Sequence, residues 1–199
     1  MKFKNKEMDQ ILLNFLEKYV QLSEEEKKSI IDLAFFQSYK KGTILLEEGQ
    51  LSKNGYFVIK GCIRCYYIVD GEEKTTAFYS DCESLNPATA ITNKPSSYYI
   101  SCMEDTILSV GDTEPNEDFF KKFPKLEKLC RLISEDLHLK SQNEFDIFKL
   151  SNPKQRYLNL LETRPDLVQR IPQYYLASYL GITPQSLSRL RNRLVKKVS

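Results

Sequence analysis

The sequence predicts an α+β fold, in which helices precede an antiparallel β jelly roll, a long helix and an all-α C-terminal domain. Short runs rich in Ile, Val, Tyr, Phe and Thr fill residues 35–110, and helical periodicity flanks them on both sides. The net charge also differs between the two parts of the chain. Residues 1–150 carry a net charge of −5 (20 Lys and Arg, 25 Asp and Glu), whereas residues 151–199 carry +7 (9 and 2). A basic segment behind an acidic body indicates a domain that binds a polyanion.

The length of 199 residues suits one large domain or two modest ones. We expect three segments, with boundaries at 1–114, 115–150 and 151–199. The single histidine, His138, lies in a charged helical stretch, where we expect it to be solvated. One imidazole cannot build a His-rich metal site, and any Ser-His-Asp or Cys-His catalysis would have to use His138 itself.

The five cysteines indicate reduced thiols in a cytoplasmic protein, because their number is odd and no signal peptide is apparent. Cys62 and Cys65 form a CxxC spacing that can hold a metal or a redox disulfide. They fall in a β-rich run, however, and strand positions three apart point to opposite faces, which favours ordinary strand cysteines. We therefore predict no metal or cofactor. The apolar runs are too short to span a membrane.

Helices are predicted first, over residues 5–34. Apolar residues recur there at helical spacing, and Ser23 with Glu26 forms a capping box that starts a second helix ending near Leu33. Strands follow, because Asn54-Gly55 and Asp70-Gly71 favour tight hairpin turns. The predicted strands are 36–40, 43–46, 56–60, 62–69, 73–79, 98–103 and 106–110, a number and spacing typical of a sandwich or jelly roll.

The chain then returns to helix, with a short piece at 115–122 and a long helix over about 125–148. Apolar residues at near-coiled-coil spacing form a stripe along the long helix. This stripe packs either on the chain's own barrel or in a dimer seam. Periodicity alone does not decide between the two. The stripe consists of Leu126, Leu129, Ile133 and Leu137. After the break at 151–153, we predict a helix at 154–163, a loop at 164–170 and two closing helices.

Residues 173–192 (QYYLASYLGITPQSLSRLRN) match the helix-turn-helix pattern. Ala177 stands where the two helices approach closely, and Gly181 stands in the turn, where a positive φ is needed. The alternative is an ordinary surface helix pair with basic ends. The positions that must be apolar are Leu176, Leu180, Ile182, Leu187 and Leu190.

Thr183 and Pro184 restart a helix as N-cap and first helical residue, and the start of that helix would enter the major groove of DNA. Gln185 suits adenine, Ser186 is a flexible donor or acceptor, and Arg189 suits guanine. Basic residues farther along suit phosphates. The full predicted DNA-binding set is Gln173, Thr183, Gln185, Ser186, Arg189, Arg191, Arg193, Lys196 and Lys197.

Together with residues 41–49 (KGTILLEEG) and 56–61 (YFVIKG), this motif order resembles the Crp/Fnr superfamily, the relatives of the cAMP receptor protein. The resemblance covers most of the chain. It implies a homodimeric transcription regulator whose long helix forms the dimer seam and whose jelly roll is a sensor. The β-wing that usually follows the recognition helix is missing before Ser199, which leaves open a wingless subgroup or a shortened chain.

Residues 82–87 and 94–98 correspond to the cyclic-nucleotide cassette of that family, and they depart from its pattern. Ser96 stands about where an arginine should hold the phosphate, and no arginine lies between Arg64 and Arg131. A buried cyclic phosphate would lose its strongest partner, so we expect no cAMP binding. The expected effector pocket lies between the barrel and the long helix. Its predicted lining is Tyr79, Leu85, Asn86, Ser96, Ser97 and Tyr98.

The function predicted is that of a cytoplasmic, homodimeric, sequence-specific DNA-binding regulator without enzymatic activity. Its expected partners are a pseudo-palindromic DNA operator, a second copy of itself, an unidentified small-molecule effector and, as a further candidate, RNA polymerase. Two alternatives belong to other classes. One is a cyclic-nucleotide-binding signalling module, and the other is a jelly-roll enzyme, which a single histidine disfavours.

Overall fold

A computed structural model describes residues 2–112 and 117–195, and the predicted order of helices, strands and helices is confirmed. The helices are α1 (Lys6–Leu16), α2 (Glu24–Leu33), α3 (Ala88–Thr92), α4 (Glu117–Lys122), α5 (Pro124–Leu150), α6 (Pro153–Thr163), α7 (Pro165–Arg170), α8 (Gln173–Tyr179) and α9 (Pro184–Val195). The strands are β1 (Lys2–Phe3), β2 (Phe36–Tyr39), β3 (Ile44–Leu46), β4 (Asn54–Lys60), β5 (Ile63–Val69), β6 (Glu72–Tyr79), β7 (Ser84–Leu85), β8 (Tyr99–Cys102) and β9 (Thr106–Asp112).

The strands form two sheets, a five-stranded one in the order β1-β2-β9-β4-β7 and a four-stranded one in the order β3-β8-β5-β6. Strand β9 pairs antiparallel with both β2 and β4, with Phe57 opposite Ser109 in the register. Gly61 follows β4 with φ +115°, and a Cβ there would lie 2.8 Å from the Cα of Thr106. Only glycine therefore fits this close passage of two backbones.

The N-terminal helices cover the five-stranded sheet. Leu12 and Phe15 of α1 are buried with Phe36 and Phe57, and the rings of Phe15 and Phe57 lie 4.7 Å apart. The predicted capping box starts α2. The Ser23 amide donates to Glu26 Oε2 at 2.7 Å, and this bond holds the pKa of Glu26 below its usual value.

The first half of α5 packs inside its own chain. Leu126 and Leu129 are 3 % and 4 % exposed, in a cluster with Leu13, Leu22 and Phe123. These two leucines were predicted for a dimer seam, but in the chain described here the helices α1 and α2 already cover them. The first half of the long helix therefore packs within its own chain, on the N-terminal helices, whereas the two alternatives from the sequence were its own barrel and a dimer seam.

Two local predictions are corrected. Residues 164–170 are not a loop, because they include the helix α7. Pro165 is its first residue, since the proline ring fixes φ at a value that suits the start of a helix, and Leu167 is completely buried. Helix α3, inside the cassette, was not predicted at all. Its five residues are too few for periodicity to reveal.

The contacts divide the chain into two compact units. The N-terminal unit comprises Met1–Cys65 and Phe78–Leu137, and the C-terminal unit comprises Tyr66–Ala77 and His138–Ser199. The C-terminal unit thus includes Tyr66–Ala77, the turn end of strands β5 and β6, which we call the hairpin. The helices of this unit have a core of their own, formed by the buried residues Tyr157, Leu160, Leu167, Ile171, Leu176, Ala177, Leu180 and Leu187.

Candidate nucleic-acid interface

Helices α8 and α9 form the predicted helix-turn-helix. Gly181 has φ +68°, and its amide donates to the Ser178 carbonyl, while the Ile182 amide donates to the Ala177 carbonyl, both at 3.0 Å. These two bonds are those of a Schellman motif, which ends α8 in a left-handed residue. Ala177 is completely buried, as the close approach of the two helices requires. The turn is therefore built by the residues that the motif places there.

The guanidinium of Arg156 ties this turn to the end of α5. Its Nε donates to the Leu180 carbonyl at 3.1 Å, and its Nη1 donates to the carbonyls of Phe148 and Ser151 at 3.1 and 2.8 Å. The same group lies 4.5 Å from the centre of the Phe148 ring. A cation at the carbonyl ends of helices also opposes their dipoles favourably. Arg156 thus fixes the turn of the helix-turn-helix against the end of α5.

Helix α9 starts as predicted. The Ser186 amide donates to Thr183 Oγ1 at 3.2 Å, and Thr183 Oγ1 in turn donates to Ser186 Oγ at 3.0 Å. Thr183 therefore acts as the N-cap. Gln185, Ser186 and Arg189 are all exposed in the first turn and a half. Their side chains are free of the unit's core, which Leu187 of the same helix enters.

A surface groove of about 420 Å³ follows one side of α9. It brings the predicted contacts Ser186, Arg189 and Arg193 together with Lys154, a residue that no sequence pattern predicts at this site. Lys154 lies in the first turn of α6, 35 residues before Arg189, and no local pattern joins the two positions. The groove is lined by Lys154, Ser186, Arg189, Leu190, Arg193 and Leu194.

Within the described residues, the three cations of the groove form no ion pair. The acidic residues of segment 151–199 are Glu162 and Asp166, and the latter pairs with Arg170 at 3.6 Å. The groove therefore carries positive charge that nothing in the described part of the chain neutralises. Such a surface attracts an anion.

Other predicted DNA contacts lie elsewhere. Gln173 is exposed at the start of α8, while Gln185 and Arg191 lie on α9 outside the groove lining. Lys196 and Lys197 fall outside the described residues. The structure thus gathers part of the predicted set around one groove and leaves the remaining described members outside its lining.

Two of the predicted effector residues, Ser96 and Tyr98, bond each other. Ser96 Oγ donates to the Tyr98 carbonyl at 2.7 Å and accepts from the Tyr98 amide at 3.2 Å, while Tyr98 Oη accepts from the Ala88 amide at 3.1 Å. Leu85 is buried in β7. The others follow the chain around this loop, Tyr79 half-buried and Asn86 and Ser97 exposed. The segment closes on itself through its own hydroxyl groups.

The remaining candidates from the sequence are the two cysteines of the CxxC spacing and the single histidine. Cys62 and Cys65 are buried free thiols, and burial raises the pKa of Cys65 to about 12. His138 is exposed on α5. No cluster of three His, Cys, Asp or Glu that could hold a metal occurs among residues 2–112 and 117–195. Over the same residues, no helix combines the length and the apolar character that crossing a membrane would need.

Comparisons with known proteins agree with this architecture. A family model described as the cyclic nucleotide-binding domain matches residues 36–123. The fold also matches FixK2 from Bradyrhizobium japonicum, with a TM-score of 0.69 and 17 % identity over 82 % of this chain and 85 % of that one. No curated protein is detectably similar in sequence.

Two further solved structures cover most of the chain. A CooA variant from Carboxydothermus hydrogenoformans gives a TM-score of 0.67 and 22 % identity over 88 % of this chain and 82 % of that one. The catabolite activator protein of Thermus thermophilus gives 0.54 and 19 % over 92 % and 87 %. The predicted arrangement of jelly roll, long helix and C-terminal helices is confirmed by these matches.

The residues present do not fit a cyclic nucleotide. The hydroxyl of Ser96, which stands in place of the phosphate-binding arginine, has both its donor and an acceptor position engaged by Tyr98. Glu83, a carboxylate of the same segment, accepts from the Ser80 amide at 2.7 Å and so closes its own turn. A cyclic phosphate would find no guanidinium from this segment to pair with.

Proposed function

We propose that the protein is a homodimeric, sequence-specific DNA-binding transcription regulator of the Crp/Fnr type, because the cyclic nucleotide-binding domain model matches residues 36–123 and the fold matches FixK2, CooA and the catabolite activator protein. Its jelly roll would sense an effector that is not a cyclic nucleotide. It would act without catalysis, in the cytoplasm, where RNA polymerase is a further candidate partner.

The observation that carries this proposal is the exposed start of α9. Thr183 caps the helix and Leu187 anchors it, so that Gln185, Ser186 and Arg189 are held on a rigid element with their side chains in solvent. A helix of this kind fits the major groove of B-DNA, and side chains at its start reach base edges. Arg189, with its planar fork, suits the O6 and N7 atoms of guanine.

The groove beside α9 supplies the phosphate contacts. Arg193 lies one turn beyond Arg189, and Lys154 approaches the groove from another helix. Two cations from different helices can hold the sugar–phosphate backbone while the start of α9 reads bases, because phosphate contacts position a protein and base contacts specify the sequence. Lys154 is therefore part of the proposed interface.

The test is selection from a randomised DNA pool, followed by salt titration of the selected sequence. We expect Arg189→Ala to relax the base preference at one position in each half-site. Arg193→Ala and Lys154→Ala should instead weaken all sequences alike and reduce the slope of log K against log salt by about one each. Lys149→Ala is the matched control, since it removes a cation on α5 outside the groove.

The outcome that contradicts the docking is equally specific. If Arg189→Ala and Arg193→Ala bind like the wild-type protein, α9 does not enter DNA as described. If Lys149→Ala reduces the salt slope as much as Lys154→Ala, the groove has no special role and the effect reflects net charge only.

A dimer would place two copies of α9 in successive major grooves, about 34 Å apart, on a pseudo-palindrome. Because Leu126 and Leu129 are buried within the chain, we propose that α5 meets its copy through another face. Leu139 is 63 % exposed and lies seven residues after the half-buried Leu132, so both occupy one stripe of the helix. A large exposed leucine on such a stripe fits a helix partner.

The second candidate function is a cyclic-nucleotide-binding signalling module, which the family match over residues 36–123 favours. Calorimetric titration with cAMP and cGMP distinguishes it. Micromolar binding without retention on DNA at low salt would support this module and overturn the regulator. We expect no binding heat, because the hydroxyl of Ser96 and the carboxylate of Glu83 are already engaged.

A further inference from the structure

A single side chain joins the hairpin to the helix-turn-helix. Ser178 Oγ, on α8, accepts a hydrogen bond from the Thr75 amide at 2.9 Å and donates one to the Glu73 carbonyl at 3.1 Å. Both partners belong to β6, more than 100 residues earlier in the chain. Thr75 is only 6 % exposed, and both bonds are partly buried.

Strand β6 is an edge strand, the last in the order β3-β8-β5-β6. Glu73 and Thr75 are two residues apart, so their backbone groups face the same side of the strand. One residue of a parallel neighbouring strand would use its own amide and carbonyl to bond such a pair. The hydroxyl of Ser178 supplies both the donor and the acceptor. The hydroxyl thus makes the two backbone hydrogen bonds that a neighbouring strand would make at this edge.

This use of a serine is not the ordinary one in a helix. A helical serine exposed at the surface bonds back to a carbonyl three or four residues earlier or points to solvent. Ser178 bonds the hairpin, and alanine, the better helix former, cannot do so. The requirement for a hydroxyl therefore comes from the contact and not from α8 itself.

We propose that Ser178 is a positioning residue for sequence reading, which fixes α8, and with it α9, against the edge of β6. The inference rests on the proposed DNA-binding function. The contact leaves Gln185 and Arg189 exposed, so it is compatible with bound DNA. Since β5 and β6 continue into the N-terminal unit, a displacement of these strands would move the edge to which α8 is bonded.

Thermodynamic linkage gives this arrangement a direct consequence. If holding the hairpin favours the geometry that reads bases, binding of the selected DNA must protect the hairpin in return. The side chains that contact phosphates stay positively charged whether or not the hairpin is bonded to α8. Loss of the Ser178 contact should therefore reduce specific binding more than non-specific binding.

The first measurement is amide hydrogen exchange by NMR on the full chain without DNA. In Ser178→Ala, exchange at Thr75 should accelerate at least tenfold, whereas Ser178→Thr, which restores a hydroxyl, should stay within about threefold of the wild type. Ser134→Ala removes a helix hydroxyl that bonds the Cys130 carbonyl on α5, and it serves as the matched control with no effect at Thr75. Unchanged exchange in Ser178→Ala overturns the proposal.

The second measurement is affinity for the selected DNA and for random-sequence DNA, with thermal melting to show that each variant is folded. Ser178→Ala should weaken binding to the selected DNA about tenfold and leave random-sequence binding within twofold. Ser178→Thr should restore the affinity. Equal losses on both DNAs, or no loss on either, overturn the positioning role. If the wild-type protein selects no sequence, the proposed function itself fails and this role fails with it, while the exchange result still shows whether Ser178 holds the hairpin.

Discussion

Arg156→Ala removes the group that joins the end of α5 to the turn of the helix-turn-helix. The guanidinium donates to three carbonyls, those of Leu180, Phe148 and Ser151, and stacks on the Phe148 ring. Alanine keeps the helix α6 intact, because it is the best helix former. The substitution therefore tests the connection between elements and not the stability of the helix that carries the residue.

The expected cost follows from these contacts. The bonds to Leu180 and Ser151 are partly buried and contribute about 1 kcal/mol each, and the exposed bond to Phe148 contributes about half as much. The cation–π contact adds about 0.5 kcal/mol. The total of about 3 kcal/mol corresponds to roughly a hundredfold increase in the open population of the C-terminal helices.

Amide exchange of residues 176–180, at the C-terminal end of α8, measures this opening. Exchange should accelerate roughly a hundredfold in Arg156→Ala, while the amides of α1 in the other unit should not change. Arg156→Lys keeps the charge but has all its donors on one nitrogen, whereas the guanidinium donates from Nε and Nη1, so the exchange rate should fall between those of the wild type and Arg156→Ala. Acceleration of less than threefold in Arg156→Ala would refute the role assigned to this guanidinium.

Three further predictions concern other parts of the chain. Burial and the hydrogen bond to Asp136 raise the pKa of Tyr19 to about 12, so the stability that Tyr19 contributes is complete below about pH 10 and is lost between pH 10 and 12. In urea unfolding at both ends of this range, Tyr19→Phe should lose less free energy of unfolding between the two pH values than the wild type does. An equal loss in the two proteins would contradict the assignment. Leu139→Glu should shift the protein from dimer to monomer in sedimentation equilibrium, and a variant that remains dimeric would exclude this face. Burial raises the pKa of Cys65 to about 12, so at pH 8 this thiol should be alkylated at least tenfold more slowly than that of the exposed Cys130. The two rates should be equal in urea, and equal rates in the native protein would contradict the buried placement.

The helix-turn-helix was readable from the sequence because each of its requirements is local. Gly181 is needed for a positive φ, Ala177 for a close approach and Thr183 for a cap, and each of them has that role in the structure. The capping box of Ser23 and Glu26 belongs to the same class. Such features depend on backbone sterics and on hydrogen bonds that span a few residues, so spacing reveals them.

Predictions that concern the partner of a helix face were less successful. The stripe at Leu126 and Leu129 was apolar as expected, but periodicity shows only that a face is buried and does not show what buries it. The helix α7 was missed for a related reason. Its six residues hold too little periodicity, although Pro165 is an ordinary first helical residue.

The sequence by itself determined the order of elements, the motif at the C-terminal end and the division of charge between an acidic body and a basic end. Tertiary structure alone decided three contacts: Lys154 beside Arg189, Arg156 on the turn, and Ser178 on the edge of β6. Each contact joins residues at least 24 positions apart, where no periodic pattern constrains the pairing. Local rules fix each element, but only the packing of whole elements brings such side chains together.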